Sequence, residues 1–155
     1  MHLNPLRLNE ALEICKWKYE GEYSFYDLEE SPDAVNELMG GSYFSVKNGI
    51  SNDLIGFFCF GQSAQVPAAR EAGLYGGDGI LDIGLGMRPD LTGQGMGMLL
   101  LKTGLEFAAV KYKPDIFRLS VAAFNQRAIT LYTNIGFKLI TSFENNGTEF
   151  KLMSK

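Results

Sequence analysis

LDIGLGMRPDLTGQGMGMLLLKTGLEFAAV, residues 81–110, is the stretch whose reading decides the fold. Leu81, Ile83, Leu85 and Met87 alternate with Asp82, Gly84, Gly86 and Arg88, the period-2 pattern of a β-strand. Pro89 has no N–H to give to a ladder, so regular pairing is expected to stop there. Gly93, Gly95 and Gly97 then fall within five positions, directly before an apolar helix. Glycines let the backbone approach a ligand closely, and the first turn of a helix leaves N–H groups without intrahelical partners. The positive end of the helix dipole completes a cradle for an anion, most naturally phosphate or pyrophosphate.

Spacing excludes two common phosphate loops. A P-loop requires Lys and then Ser or Thr after its second glycine, whereas Gly97 is followed by Met98 and Leu99. The dinucleotide fingerprint, counted from Gly93 and Gly95, would place its third glycine at Met98.

Downstream, the helix opened by Gly97 is expected to run to about Val110. Lys102 and Glu106 are its clear polar positions, so it reads as buried on a sheet. Pro114 ends it. Phe117, Leu119 and Val121 alternate with Arg118, Ser120 and Ala122, and strand–helix–strand implies a parallel pair with a right-handed crossover. Asn125 then caps a helix in which Ala128, Leu131, Tyr132 and Ile135 share a face, with Gly136 as its C′ residue. Residues 138–143 and 148–153 are expected to pair around Asn145-Asn146-Gly147.

Upstream, residues 62–79 hold Pro67 and four glycines and read as a mobile loop near a site mouth. The continuous apolar run at 54–60 reads as a central strand covered on both faces, and residues 43–46 as its hairpin partner across Asn48-Gly49 and Asn52-Asp53. Ser31 and Pro32 open a helix expected to reach Met39 and stop at Gly40-Gly41. Asn9 is expected to cap a helix from Glu10 to about Tyr19, with Leu12, Cys15, Lys16 and Tyr19 along one face. Between these two helices the chain is crowded with aromatics and acids.

With 155 residues, 46% of them hydrophobic, the chain is expected to form one domain, 1–155, with a sizeable core. It has no apolar run of about 18 residues and so no expected membrane span. Its first residues lack a basic-then-apolar leader pattern, which points to a soluble cytoplasmic protein. Cys15 and Cys59 are the only cysteines and sit in apolar segments, while the only histidine is His2, at an end expected to fray. Neither a metal centre nor a histidine-based triad is therefore expected. A net charge of −4 argues against nucleic acid as partner. Residues 9–38 hold nine acids against Lys16 and Lys18, a net −7, which leaves +3 for the remainder. That asymmetry suits an anionic cofactor on one side and a cationic acceptor on the other; acidic solvated helix faces are the plainer reading.

Thr92-Gly93-Gln94-Gly95-Met96-Gly97 resembles the pyrophosphate loop of the GNAT N-acetyltransferase family. The family pattern is Gln or Arg, two variable residues, Gly, one variable residue, then Gly or Ala; Thr92 stands where Gln or Arg is usual. Asn125-Gln126-Arg127-Ala128, followed by Leu131-Tyr132 and Gly136-Phe137, resembles the second GNAT signature and comes 28 residues after Gly97, in the expected order.

The resemblance implies an α/β (or α+β) fold: a mixed central sheet of six to seven strands, splayed between the fourth and fifth and flanked by about four helices. It implies acetyl-CoA as cofactor, with pyrophosphate on Thr92, Gly93, Gln94, Gly95, Met96 and Gly97. The pantetheine arm would lie along Leu85, Gly86 and Met87 like an added strand, and Asn125 would touch the cofactor. An N–H near Met87 would polarise the thioester carbonyl. Tyr132 would protonate the coenzyme A sulfur, since a phenol's ordinary pKa of about 10 is near what a thiolate leaving group needs. In the family the first two helices and their linker wall the acceptor site, which makes Tyr19, Glu22, Tyr23, Phe25 and Tyr26 candidate substrate contacts; core and lid aromatics are the other reading. Asp82 is the first candidate for the base, with Glu20 and Glu22 as alternatives. The implied reaction is acetyl transfer from acetyl-CoA to a primary amine of a small molecule or peptide by direct attack. Two non-enzymatic readings stand beside it, an acyl-CoA-binding regulatory module and an interaction module whose glycine loop is structural. Aromatic-rich strands near the C-terminus leave room for a homodimer.

Overall fold

The strand expected from residue 81 is β4 (Ile80–Met87) in the computed structural model, which describes residues 1–155. Seven strands follow the hydrogen-bonded order β1-β2-β3-β4-β5-β7-β6. The chain forms two compact units, residues 1–59 with 85–107 and residues 60–84 with 108–155. No helix is long and apolar enough to cross a membrane.

In the first unit, β1 (His2–Pro5) lies antiparallel to β2 (Tyr43–Lys47), with His2 opposite Lys47 and Pro5 opposite Phe44. The expected fraying of this end is corrected. Four residues with no periodicity and a proline give no strand signal, but an edge position tolerates proline and the outer edge of β2 supplies the partner. Helix α1 (Leu8–Cys15) is also displaced from its expected bounds. Arg7, not Asn9, stands at its N-cap, and the Arg7 N–H donates to Glu10 Oε1 at 2.9 Å, half of a capping box. Glu10 Oε2 faces the Lys47 ammonium at 3.0 Å, which ties α1 to β2. The helix stops four residues early, and Trp17 turns into a core that includes Leu6, Ala11, Ile14, Cys15, Leu38 and Leu54. Leu12, expected to share a face with Cys15, is exposed, whereas Cys15 is buried.

Helix α2 (Pro32–Leu38) begins as expected: Ser31 Oγ accepts the Ala34 N–H at 3.2 Å, and Pro32 takes the first position, where no N–H is needed. β2 pairs antiparallel with β3 (Leu54–Phe60), which is buried on both faces. Phe58 is fully buried, and burying a side chain of this size contributes about 1.5–3 kcal/mol. It lies against Gly104 of helix α4 (Gly97–Tyr112), where a Cβ would collide with the edge of the Phe58 ring. That is why a glycine interrupts an apolar helix.

In the second unit, β4 pairs in parallel with β5 (Ile116–Ala122) at Ile80–Ile116, Leu81–Phe117 and Asp82–Arg118. Pairing goes no further although both strands continue, as the expected splay between the fourth and fifth strands requires. β5 pairs antiparallel with β7 (Thr148–Ser154), which pairs with β6 (Lys138–Asn145). Asn146 and Gly147 turn that hairpin at φ 51° and 81°, the left-handed pair of a type I′ turn. Helix α5 (Gln126–Ile135) starts at Asn125 and ends at Gly136, φ 114°. Residues 62–79 are not all loop: they contain α3 (Pro67–Glu71), with a 3-10 turn, Gly61–Ala64, overlapping their start.

Candidate functional site

In the first unit, the end of β4 runs into a self-bonded approach to the glycines. Arg88 Nε donates to Asp90 Oδ1 at 2.6 Å, and Arg88 Nη1 to the Leu54 carbonyl at 3.0 Å. The guanidinium holds the Asp90 carboxyl below its ordinary range. A 3-10 turn, Pro89–Leu91, follows. The Thr92 hydroxyl donates to the Pro89 carbonyl at 2.8 Å, and Gln94 Nε2 to the Asp90 carbonyl at 2.7 Å. Thr92, which replaces the usual Gln or Arg, thus closes this turn instead of reaching outward.

Gly93 and Gly95 take φ of 74° and 79°, a region closed to most side chains. A Cβ at Gly95 would meet nothing within 4 Å, so the backbone lies open on that side. The Leu100 N–H donates to the Met96 carbonyl at 3.0 Å as α4 begins. The N–H groups of residues 97–99 therefore have no intrahelical acceptor. A left-handed glycine pair, open at Gly95, ahead of a 16-residue helix fits an anion such as a pyrophosphate. The three candidate pantetheine contacts, Leu85, Gly86 and Met87, are partly buried. Gly86 has a local reason to be glycine, because a Cβ there would collide with the Phe57 ring.

Of the acceptor candidates, the structure brings Tyr19 to β4: its hydroxyl donates to the Met87 carbonyl at 2.7 Å. The Tyr19 N–H donates to Asp27 Oδ1 at 2.8 Å, closing the segment around a 3-10 turn, Gly21–Tyr26. Within it Phe25 and Tyr26 pack edge to face at 5.2 Å, Tyr23 is half-buried, and Glu20 and Glu22 are exposed. Burial first, and the Asp27 carboxylate second, push the Tyr19 phenol up from 10.0 to about 12. The unfolded chain thus loses this proton before the native one does. Tyr19 stabilises the native state fully below pH ~10, and that contribution fades as pH rises toward ~12. Alkaline unfolding followed by circular dichroism should therefore fall more steeply across this window in the wild type than in Tyr19→Phe; equal slopes would contradict the assignment.

In the second unit, Tyr132 is largely buried on α5, its ring 6.0 Å from Phe137. Asn125 Oδ1 accepts the Ala128 N–H at 3.1 Å and is committed to capping the helix. Asp82 is 5% exposed. Its Oδ1 accepts from Arg118 Nε at 2.6 Å, and its Oδ2 accepts from Arg118 Nη2 and Gln65 Nε2, each at 2.9 Å. Arg118 also donates to the carbonyls of Tyr75 at 3.0 Å and Gly76 at 2.9 Å, and lies over the Tyr75 ring. The Tyr75 hydroxyl in turn meets Ser120 Oγ at 2.7 Å. The segment expected to be mobile is thus fastened through Arg118, and both Asp82 carboxylate oxygens are engaged in hydrogen bonds.

Arg118, Gln65 and Tyr75 escaped the sequence reading. The one signal was a charged residue inside an apolar strand pattern, and its partner emerges only from the β4–β5 register. Removing one member of a buried pair costs about 3–5 kcal/mol. Asp82→Ala should accordingly lower the unfolding free energy by that order, read as a clear fall in the urea midpoint; an unchanged midpoint with lost activity would return Asp82 to the role of base.

A family model described as Acetyltransferase (GNAT) family matches residues 8–137. No curated protein matches the sequence. Among solved structures, a chimera of spermidine N-acetyltransferase SpeG from Vibrio cholerae and hSSAT is similar with a TM-score of 0.71 and 20% identity, over 99% of this chain and 94% of that one. A dodecameric structure of the Vibrio cholerae spermidine N-acetyltransferase gives 0.67 and 20%, over 99% and 91%. A GNAT-family acetyltransferase from Bacillus anthracis gives 0.61 and 17%, over 79% and 70%. At these identities the likeness is one of fold.

Proposed function

Because the chain belongs to the GNAT acetyltransferase family, we propose that residues 1–155 work as one cytoplasmic acyltransferase domain, transferring acetyl from acetyl-CoA to a primary amine of a cationic small molecule or peptide. The observation that carries the reading is the left-handed Gly93 and Gly95 pair, open on its Cβ side at Gly95, ahead of α4. Acetyl-CoA supplies an acyl group activated as a thioester. The backbone of residues 92–97 and the first turn of α4 hold its pyrophosphate, the backbone of residues 85–87 holds the pantetheine arm, and Asn125 contacts the cofactor. The N–H near Met87 donates to the thioester carbonyl as negative charge develops there.

The acceptor nitrogen forms the new bond to the carbonyl carbon while the carbon–sulfur bond breaks. Tyr132 gives its proton to the leaving sulfur. The proton lost by the attacking amine goes through water to a carboxylate. With Asp82 bound to Arg118, the exposed Glu20 and Glu22 are the acids that fit this role. Tyr19, Tyr23 and Tyr26 border the same acceptor segment. Its charge supports a polycationic acceptor: residues 9–38 carry a net −7. Spermidine N-acetyltransferases share the fold, and spermidine belongs to that chemical class.

Coenzyme A release, followed by thiol titration, tests the reading. Release should depend on added amine and should run faster with spermidine or a diamine than with a neutral primary amine of similar length. Tight acetyl-CoA binding with no release for any amine would replace the enzyme with an acyl-CoA-binding module.

A further inference from the structure

The peptide between Met87 and Arg88 is held from both sides. Its carbonyl accepts from the Tyr19 hydroxyl at 2.7 Å, and its N–H donates to the Ile55 carbonyl at 2.9 Å. Two opposed hydrogen bonds fix the plane of this peptide and with it the backbone of Met87. Segment 17–19 reaches the same place a second way. The Trp17 ring lies 6.2 Å from Phe57, whose own ring fills the space beside Gly86. At its other end Tyr19 belongs to a closed loop: its N–H donates to Asp27, the Asp27 N–H to the Ser24 carbonyl at 3.0 Å, and the Tyr23 N–H to the Glu20 carbonyl at 3.2 Å. The loop so closed carries Glu20, Glu22, Tyr23 and Tyr26.

We infer that Tyr19 is a positioning residue for acyl transfer, its hydroxyl coupling the acceptor-binding loop of residues 19–27 to the Met87 backbone that presents the acyl group. The inference rests on the proposed placement of the acyl arm along residues 85–87. Tyr19 itself touches neither reactant in this role. Its hydroxyl sets the Met87 peptide, and the loop moves with that peptide as one piece. A phenol is protonated at neutral pH, and burial extends that range upward, so the donor is always present.

Tyr19→Phe in the full chain removes the hydroxyl and keeps the ring. With one net hydrogen bond lost, kcat should fall by up to about tenfold. The acetyl-CoA Kd, measured by calorimetry, should stay within about twofold of wild type, since the phosphate-binding backbone is untouched. That retained Kd also certifies the variant as folded. Tyr19→p-aminophenylalanine restores an N–H donor at the same point and should recover most of the lost kcat, which a packing role would not produce. Unchanged kcat in Tyr19→Phe, a parallel loss of acetyl-CoA affinity, or no recovery with the amino analogue would each overturn the inference. A wild-type chain that binds no acetyl-CoA would instead remove the functional reading, and the inference with it.

Discussion

Tyr132→Phe is expected to lower kcat by roughly 10²-fold or more while leaving acetyl-CoA affinity within about twofold, because proton transfer by a placed side chain is typically worth 10²–10⁴. The substitution is conservative in packing. Tyr132 is largely buried, with its ring against Phe137, and phenylalanine keeps that ring in place. Only the hydroxyl is lost, at a stability cost of about 1 kcal/mol. Kinetics and binding should therefore separate: single-turnover acetyl transfer slows while calorimetric Kd holds. Undiminished turnover at saturating acetyl-CoA would remove Tyr132 as the acid and leave it as a core aromatic.

Gly95→Asp is expected to abolish acetyl-CoA binding in a protein that still folds. Gly95 sits at φ 79°, and a Cβ there would meet nothing within 4 Å, so the new side chain projects into open space. Asp and Asn both visit left-handed backbone more readily than other residues, which makes Gly95→Asn the control of matching shape. Two like charges about 4 Å apart near a protein surface repel by about 4 kcal/mol, close to a thousandfold in affinity. Calorimetry should show Asn retaining most of the binding and Asp none. Equal affinities in the two variants would move the pyrophosphate away from residues 92–97.

What was legible in the sequence was local chemistry. Asn125 and Gly136 bound α5, Ser31 and Pro32 start α2, and Asn146-Gly147 turn the last hairpin, each through its own backbone preference. The β4–glycine–α4 unit belongs with them. What stayed hidden depends on partners far along the chain. β1 is a strand because β2 offers an edge, not because of its own residues. α1 ends early because Trp17 is drawn into the core, and no helix propensity records that. Arg118 fastens carbonyls more than forty residues away, and Asp82 is its counter-ion only once the parallel register is fixed. Tyr19 stood in the sequence as a candidate substrate contact, and its bond to Met87, 68 residues on, was not legible there.

The most direct measurement is a thermal melt of the wild-type chain with saturating acetyl-CoA, with inorganic phosphate alone as control. A ligand at a hundred times its Kd stabilises the native state by about 2.7 kcal/mol, which raises Tm by roughly 5–10 °C in a chain of this size. A rise of that order with acetyl-CoA, and none with phosphate, is the predicted result. No rise at millimolar acetyl-CoA would contradict it, and would leave Gly93, Gly95 and Gly97 as a structural turn into α4.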